Sequence, residues 1–80
     1  MTDNPCSPIK AGDYLIKPKA QLMADGIYGA GVTIQRDKAN ETLEQRFDAQ
    51  HCFPTEAEAC QEARRFGWAL VNGDVAGLEI

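Results

Sequence analysis

Apolar residues recur every three or four positions in the last third of the chain, and this spacing predicts a helix from Pro54 to Gly73. Thr55 and Glu58 form a capping box that can start the helix, because each side chain can bond a backbone N–H of the first turn. Gly73 is the expected left-handed residue that ends it. A step of about 100° per residue gives one apolar stripe along the helix, formed by Ala59, Cys60, Ala63, Phe66, Gly67 and Leu70. Because most of these residues are small, we expect the helix to pack closely on a sheet.

Upstream of the helix, apolar and polar residues alternate, as they do in strands with one buried face. The alternation predicts three antiparallel strands, at Tyr14–Leu22, Ile27–Arg36 and Thr42–Ala49, which polar turns separate. Pro18 cannot donate a ladder hydrogen bond, so the first strand is expected at an edge of the sheet. The predicted fold is α+β: a three-stranded antiparallel sheet in β-β-β-α order, with one C-terminal helix packed on one face.

The alternation also assigns each side chain to one face of the sheet. Side chains expected to face the helix are Tyr28, Ala30, Val32, Ile34, Leu43, Phe47 and Ala49, with Gln45 as a polar interruption. The opposite face, called the open face below, is expected to carry Lys17, Lys19, Gln21, Gly29, Gly31, Thr33, Gln35, Thr42, Glu44, Arg46 and Asp48. One helix can cover only one face, so the open face needs an explanation.

The 80 residues make one domain, near the size at which a hydrophobic core alone gives marginal stability. Residues 1–12 are polar and contain Pro5 and Pro8, so we expect a flexible N-terminal arm before a domain at residues 13–80. The N-terminus has neither a positive start nor an apolar stretch, and no apolar run reaches the length of a membrane span. We therefore expect a cytoplasmic protein.

Cys6, Cys52 and Cys60 are odd in number, and their spacing is typical neither of a disulfide framework nor of a zinc site. Such cysteines fit a reducing compartment, with Cys60 as a small core residue of the helix. His51 with two of the cysteines could supply three ligands where structural zinc usually takes four, so no metal is expected. Redox sensing through Cys6 or Cys52 is a further hypothesis.

The candidate chemistry for an enzyme is sparse. His51 is the single histidine, and a dyad with a cysteine would need an orienting group and an oxyanion site that no residue at recognisable spacing supplies. The glycines of residues 26–31 lie inside a predicted hairpin rather than before a helix, so they do not form a nucleotide-binding loop. We expect no enzymatic activity and no cofactor.

Trp68 falls roughly opposite the apolar stripe of the predicted helix, where an isolated domain would leave its ring largely in water. One explanation is that the apolar segment Val75–Ile80, called the C-terminal tail below, folds back and covers it. Another is a subunit contact formed by Trp68 with Leu78 and Ile80, because tryptophan is enriched at interface hot spots. A third is a single exposed aromatic ring without a role.

Gly29 and Gly31 leave bare backbone in the middle of the open face. They either permit a twist or bulge, or let a partner dock closely. We therefore expect a small protein-interaction or assembly module, with a homodimer as its simplest form. The partner-binding candidates are Trp68, Leu78, Ile80, Gly29 and Gly31.

The predicted topology is similar to that of DNA-binding domains of the plant AP2 type and arm-binding domains of integrases. The stretch from Phe53 to Ala59 looks like the strand-to-helix junction of those families. The resemblance implies an alternative function, a transcription-related regulator that binds nucleic acid through the open face. Its contact residues would be Lys17, Lys19, Gln35 and Arg46. The net charge of −4 and the lack of aromatic residues on this face make nucleic acid the less favoured partner.

A second resemblance covers about two thirds of the chain. The segments Gly26-Ile27-Tyr28, Ala30 to Ile34, Glu44 to Phe47 and Phe53 to Val71 resemble small bacterial domains labelled HlyU-like. Those domains share a G-x-Y…G-x-I strand, a charged turn, an R-F strand and a helix. The resemblance implies a bacterial protein and a role in transcription regulation, and it transfers no functional residue to this chain.

Overall fold

A computed structural model describes residues 6–80, which form a four-stranded antiparallel sheet with one helix on one face. The elements are β1 Ile9–Ala11, β2 Tyr14–Leu22, β3 Tyr28–Lys38, β4 Glu41–Phe53 and α1 Glu56–Asn72, with a short 3-10 turn at Ala24–Gly26. The strands lie in chain order, β1-β2-β3-β4, so each pairs with its neighbour in sequence. The predicted α+β class, with an antiparallel sheet and one C-terminal helix, is confirmed.

The predicted count of three strands is wrong, because β1 adds a fourth. It lies in the stretch predicted as a flexible arm, and it pairs with β2 from Ile9↔Ile16 to Ala11↔Tyr14. Gly12 makes the turn with a positive φ of 62°, a conformation that glycine adopts without strain. A strand of three residues is too short to show an alternating pattern, so the sequence gives no signal for it. Residues 1–5 of the predicted arm lie outside the described residues.

The prediction that β2 lies at an edge of the sheet, made from Pro18, is wrong for the strand as a whole. In strand order β2 lies between β1 and β3, so it is not an edge strand. However, β1 pairs with β2 only as far as Ile16, and Pro18 lies beyond that point. Among the described residues 6–80, the half of β2 that contains Pro18 therefore has a strand neighbour on one side only, where a missing N–H is tolerated.

The core lies between α1 and the helix-facing side of the sheet. Ile16 and Ile34 are fully buried, and Ala30 and Val32 are nearly so, which confirms the alternation predicted for β3. The predicted helix stripe is buried except for Phe66, which is half-buried and makes an edge-to-face contact with Phe47. The side chain of Ala49 lies outside the described part of the structure.

Both predicted ends of the helix are confirmed. Thr55 accepts a hydrogen bond from the Glu58 N–H at 3.2 Å, which satisfies a donor of the first turn. Gly73 has a φ of 83°, and Asp74 N–H donates to the Ala69 carbonyl at 2.9 Å. These are the bonds of a Schellman cap, so glycine at position 73 stops the helix for a conformational reason.

The C-terminal tail folds back onto its own chain across the helix-facing side of the sheet. Gln45 Nε2 donates to the Gly77 carbonyl at 2.8 Å, and Glu79 N–H donates to Gln45 Oε1 at 2.8 Å. Tyr14 donates from its hydroxyl to the main-chain oxygen of Ile80 at 2.7 Å. The polar interruption predicted at Gln45 thus holds the tail together with Tyr14.

Candidate interaction site on the open sheet face

The strand register brings the predicted residues of the open face into cross-strand rows. The rows are Gln21–Gly29–Cys52, Lys19–Gly31–Asp48 and Lys17–Thr33–Arg46. In each row a residue of β3 lies between one residue of β2 and one of β4. The glycines therefore lie in the middle of this part of the sheet, as the sequence predicted.

A groove of about 280 Å³ crosses the open face, and we call it the face groove. Its side-chain lining comes from β2, β3, β4 and the β2–β3 turn, namely Lys19, Gln21, Met23, Thr33, Arg46, Asp48 and Cys52. Gly29 and Gly31 form its floor, because neither contributes a side chain that would fill the space between β2 and β4. The floor of the groove is therefore exposed backbone of β3, at positions where a residue other than glycine would present a side chain.

The two glycines differ in what a side chain would meet. A Cβ on Gly31 would lie 3.0 Å from Asp48 Oδ1 and 3.6 Å from the Phe47 carbonyl oxygen, which is a tight fit. A Cβ on Gly29 would lie 3.5 Å from Met23 Sδ, an ordinary van der Waals contact. Packing therefore does not require glycine at position 29, although it disfavours a side chain at position 31.

The strand pairing also shifts at the glycines. Gly29 pairs with Cys52 and Gly31 with Asp48, so residues 49–51 of β4 lie opposite Ala30 alone. Such a bulge bends and twists the strand that carries it. The structural interpretation of the glycines, that they permit a bulge, thus has direct support, and the bulge forms one end of the face groove beside Cys52.

The charges around the groove are only partly paired. Lys17 Nζ lies 3.9 Å from a Glu44 carboxylate oxygen, a half-exposed pair that contributes little to stability. Within residues 6–80, neither Lys19 nor Arg46 has a carboxylate within ion-pair distance. Two cationic side chains and the Asp48 carboxylate are therefore available to a bound group.

An exposed apolar patch adjoins the groove at the β2–β3 turn. Leu22, Met23 and Ile27 expose 64%, 44% and 38% of their surface, and Met23 also lines the groove. We call these three residues the apolar rim. Sequence reasoning missed this patch, although the signal is present in two apolar residues, Leu22 and Ile27, that flank a tight turn.

The second group of predicted partner residues lies on the other side of the sheet. Trp68, Leu78 and Ile80 are half-buried and pack against the chain's own core. Gly29 and Gly31 lie on the open face, so the structure does not bring the two groups together. The tail packs within one chain, while the explanation that it covers Trp68 and the alternative of a subunit contact through Trp68 both stay predictions.

The residues predicted to contact nucleic acid also lie on the open face, but they do not form one continuous, unpaired surface. Lys19 and Arg46 line the face groove, whereas Lys17 is paired with Glu44. Gln35 donates to the Asp37 carboxylate at 3.2 Å, which directs its amide toward the β3–β4 turn. Only part of the proposed basic surface is therefore free for a phosphate.

Cys6 and Cys60 form a disulfide, with their Cα atoms 5.0 Å apart. The expectation that the cysteines form no disulfide is wrong for this pair. The bond joins the segment before β1 to Cys60, which is fully buried on α1, and Cys52 is the free, exposed cysteine of residues 6–80. Because disulfides persist mainly in oxidising compartments, this pair removes the cysteine argument for a reducing one.

Two further observations concern binding classes. Within residues 6–80, no three His, Cys, Asp or Glu side chains lie close enough together to hold a metal ion. No helix in the same residues combines the length and the apolar character that crossing a membrane requires.

Comparison of the chain with family models, curated proteins and solved structures gives no match. The resemblances to HlyU-like and AP2-type domains therefore stay predictions, and the geometry of the open face carries the functional argument.

Proposed function

We propose that this protein is a protein-interaction module whose face groove binds an extended segment of a partner polypeptide. The observation that carries the proposal is the floor of the groove, where Gly29 and Gly31 expose backbone on a face that no element of residues 6–80 covers. A groove with a backbone floor admits another main chain closely. Gly29 in particular supports this function, since packing alone would accept a side chain there.

The lining defines the chemistry of the partner segment. One end of the groove is apolar, with Met23 beside the rest of the apolar rim, and the other end carries Lys19 and Arg46. The row of Gly29 and the row of Gly31 are two residues apart, roughly 7 Å along a strand. The segment that fits has an apolar side chain and a carboxylate two residues apart, on the same side of an extended chain.

The same surface is less suited to nucleic acid. Asp48 and Glu44 place two carboxylates among the basic residues, and Lys17 is engaged by one of them. Phosphate neutralisation by Lys and Arg supplies most of non-specific affinity for nucleic acids. An acidic, apolar peptide matches the unpaired cations without needing a broad basic surface.

The test is selection from a phage-displayed library of short random peptides on the purified, oxidised protein, followed by synthesis of the enriched peptides. We expect peptides with an apolar residue and Asp or Glu two positions apart. Gly29→Val fills the groove while keeping strand propensity, so binding should fall at least about tenfold with the fold intact.

Lys19→Gln should weaken the same peptides, whereas Lys38→Gln, at an exposed position outside the groove, is the matched control and should not. Circular dichroism and thermal unfolding check that each variant is folded. Peptides that bind the wild type and Gly29→Val equally would place the contact elsewhere and reject the proposal. Binding of a labelled single-stranded oligonucleotide at low salt, lost in Lys17→Glu and Arg46→Glu, would favour the nucleic-acid alternative instead.

A further inference from the structure

β4 is a long strand at the end of the sheet, and within residues 6–80 no strand pairs with its outer edge. It spans 13 residues and is the last strand in the order β1-β2-β3-β4. Its regular pairing with β3 runs from Glu41 to Asp48, before the bulge. Among the backbone hydrogen bonds outside the helix and strands of residues 6–80, none reaches β4. Its outer N–H and C=O groups are therefore a template for another strand.

The opposite side of the sheet is protected in ways that β4 is not. β1 covers the first part of β2, and the part beyond it, which no strand of residues 6–80 covers on that side, contains Pro18 between Lys17 and Lys19. Proline and lysine at an edge are common means of preventing strand addition. Between Glu41 and Phe53, β4 contains neither residue type.

Two copies of β4 are complementary when they are aligned antiparallel with Gln45 of one copy opposite Gln45 of the other. Glu44 then lies opposite Arg46 of a second copy, and Arg46 opposite Glu44. Leu43 lies opposite Phe47 on the helix-facing side, and both are half-buried in the single chain. Cross-strand pairs of opposite charge, and aromatic–aliphatic pairs, are the contacts that stabilise antiparallel sheets.

Neighbouring registers lack this complementarity. A two-fold axis through Glu44 places that carboxylate opposite its own copy, and an axis through Arg46 places two guanidinium groups together. Like charges directly opposite each other destabilise a strand pair. An axis through Phe47 would pair Arg46 with Asp48, but the pairing would then run into the bulge between Asp48 and Cys52. Charge pairing and the regularity of the strand therefore favour Gln45 as the position of the two-fold axis.

We propose that a second copy of this chain pairs with β4 along Thr42–Asp48, in an antiparallel ladder with its two-fold axis at Gln45. The two four-stranded sheets then join into one continuous sheet, with both helices on one face and both face grooves on the other. The tail is compatible with this pairing, since within residues 6–80 it bonds the Gln45 side chain and makes no hydrogen bond to the β4 backbone. The proposed ladder shares Arg46 and Asp48 with the face groove, whereas Lys19, Met23 and the glycine floor belong to the groove alone and test peptide binding separately.

The test is a charge exchange monitored by sedimentation equilibrium from micromolar to millimolar protein. Wild type should be a reversible dimer. Arg46→Glu places four carboxylates around the axis and should weaken the dimer about tenfold or more, as should Glu44→Arg. The double variant Glu44→Arg/Arg46→Glu recreates both ion pairs and should restore dimerisation, which also excludes misfolding as the cause of the single-variant losses.

Lys10→Glu changes the charge of the opposite edge strand by the same amount and should leave the dimer unchanged. A strict monomer at all concentrations, or a dimer that the single charge changes do not weaken, would overturn the proposal. So would a dimer that is lost on deletion of Leu78 to Ile80 but is unaffected at Arg46. The double variant should keep the dimer although it replaces Arg46, which also lines the face groove. A failure of the dimer test therefore does not decide whether the groove binds peptides.

Discussion

Gly67 of α1 lies so close to Ile16 of β2 that a Cβ at position 67 would be 2.5 Å from Ile16 Cγ2. The same Cβ would be 3.0 Å from Val32 Cγ2. Both methyl groups belong to buried β-branched side chains, which cannot rotate away without losing their preferred conformation. The distance between helix and sheet is therefore set at this contact.

Gly67→Ala should destabilise the protein, although alanine is favoured over glycine in helices by about 1 kcal/mol. Overpacking a core typically costs about 1–3 kcal/mol, so after the gain in helix propensity we expect a net loss of up to about 2 kcal/mol in the free energy of unfolding. Urea denaturation of the oxidised protein measures it. In an Ile16→Ala background the closer of the two contacts is absent and only the one with Val32 Cγ2 remains, so the same change should cost less; equal losses in both backgrounds would contradict the contact with Ile16.

Gln45→Leu should release the C-terminal tail, because it removes the side chain that donates to Gly77 and accepts from Glu79. These bonds are exposed, so the loss in unfolding free energy should be small, about 1 kcal/mol. The sharper readout is amide hydrogen exchange at Glu79, which should accelerate. Gln35→Leu removes a side-chain amide that bonds Asp37 rather than the tail, so it is the control and should leave that exchange rate unchanged.

The thiol content should depend on reduction. Oxidised, unfolded protein should react with one equivalent of an alkylating reagent, at Cys52, and reduced, unfolded protein with three. Intact mass after alkylation gives both counts. Three equivalents before reduction would contradict the Cys6–Cys60 bond, and Cys52→Ser should lower each count by one.

Cutting this disulfide should cost stability. The cysteines are 54 residues apart. In the loop-closure description, a bond that closes a loop of this size lowers the entropy of the unfolded chain and so raises its free energy by about 4 kcal/mol. Reduction, or Cys6→Ser, should therefore shift the urea midpoint strongly, while Cys52→Ser should not move it. An unchanged midpoint after reduction would show that the bond does not constrain the unfolded chain.

Much of the fold could be predicted from local pattern. The helix, its caps at Thr55 and Gly73, and the buried face of β3 follow from residue spacing that depends on neighbours in sequence. β1 could not be predicted, because three residues carry no period. The Cys6–Cys60 pair could not be predicted either, since it depends on how α1 lies across the sheet relative to β1.

The candidate site was predictable in part for a similar reason. Gly29 and Gly31 could be assigned to the open face from alternation alone. The groove over them depends on Met23 extending over Gly29 and on the bulge that places Cys52 opposite it, and both are tertiary features. Gln45 had a visible signal, a polar residue in an apolar row, but its partner is a tail that is 32 residues away at Gly77.

The disulfide makes the sheet part of a covalent ring. All four strands lie between Cys6 and Cys60, so the backbone and the S–S bond together enclose them. A protease that cuts once at the exposed β2–β3 or β3–β4 turn would open the ring without dividing the molecule. The nicked chain would keep both fragments joined in a denaturing gel until a reductant is added.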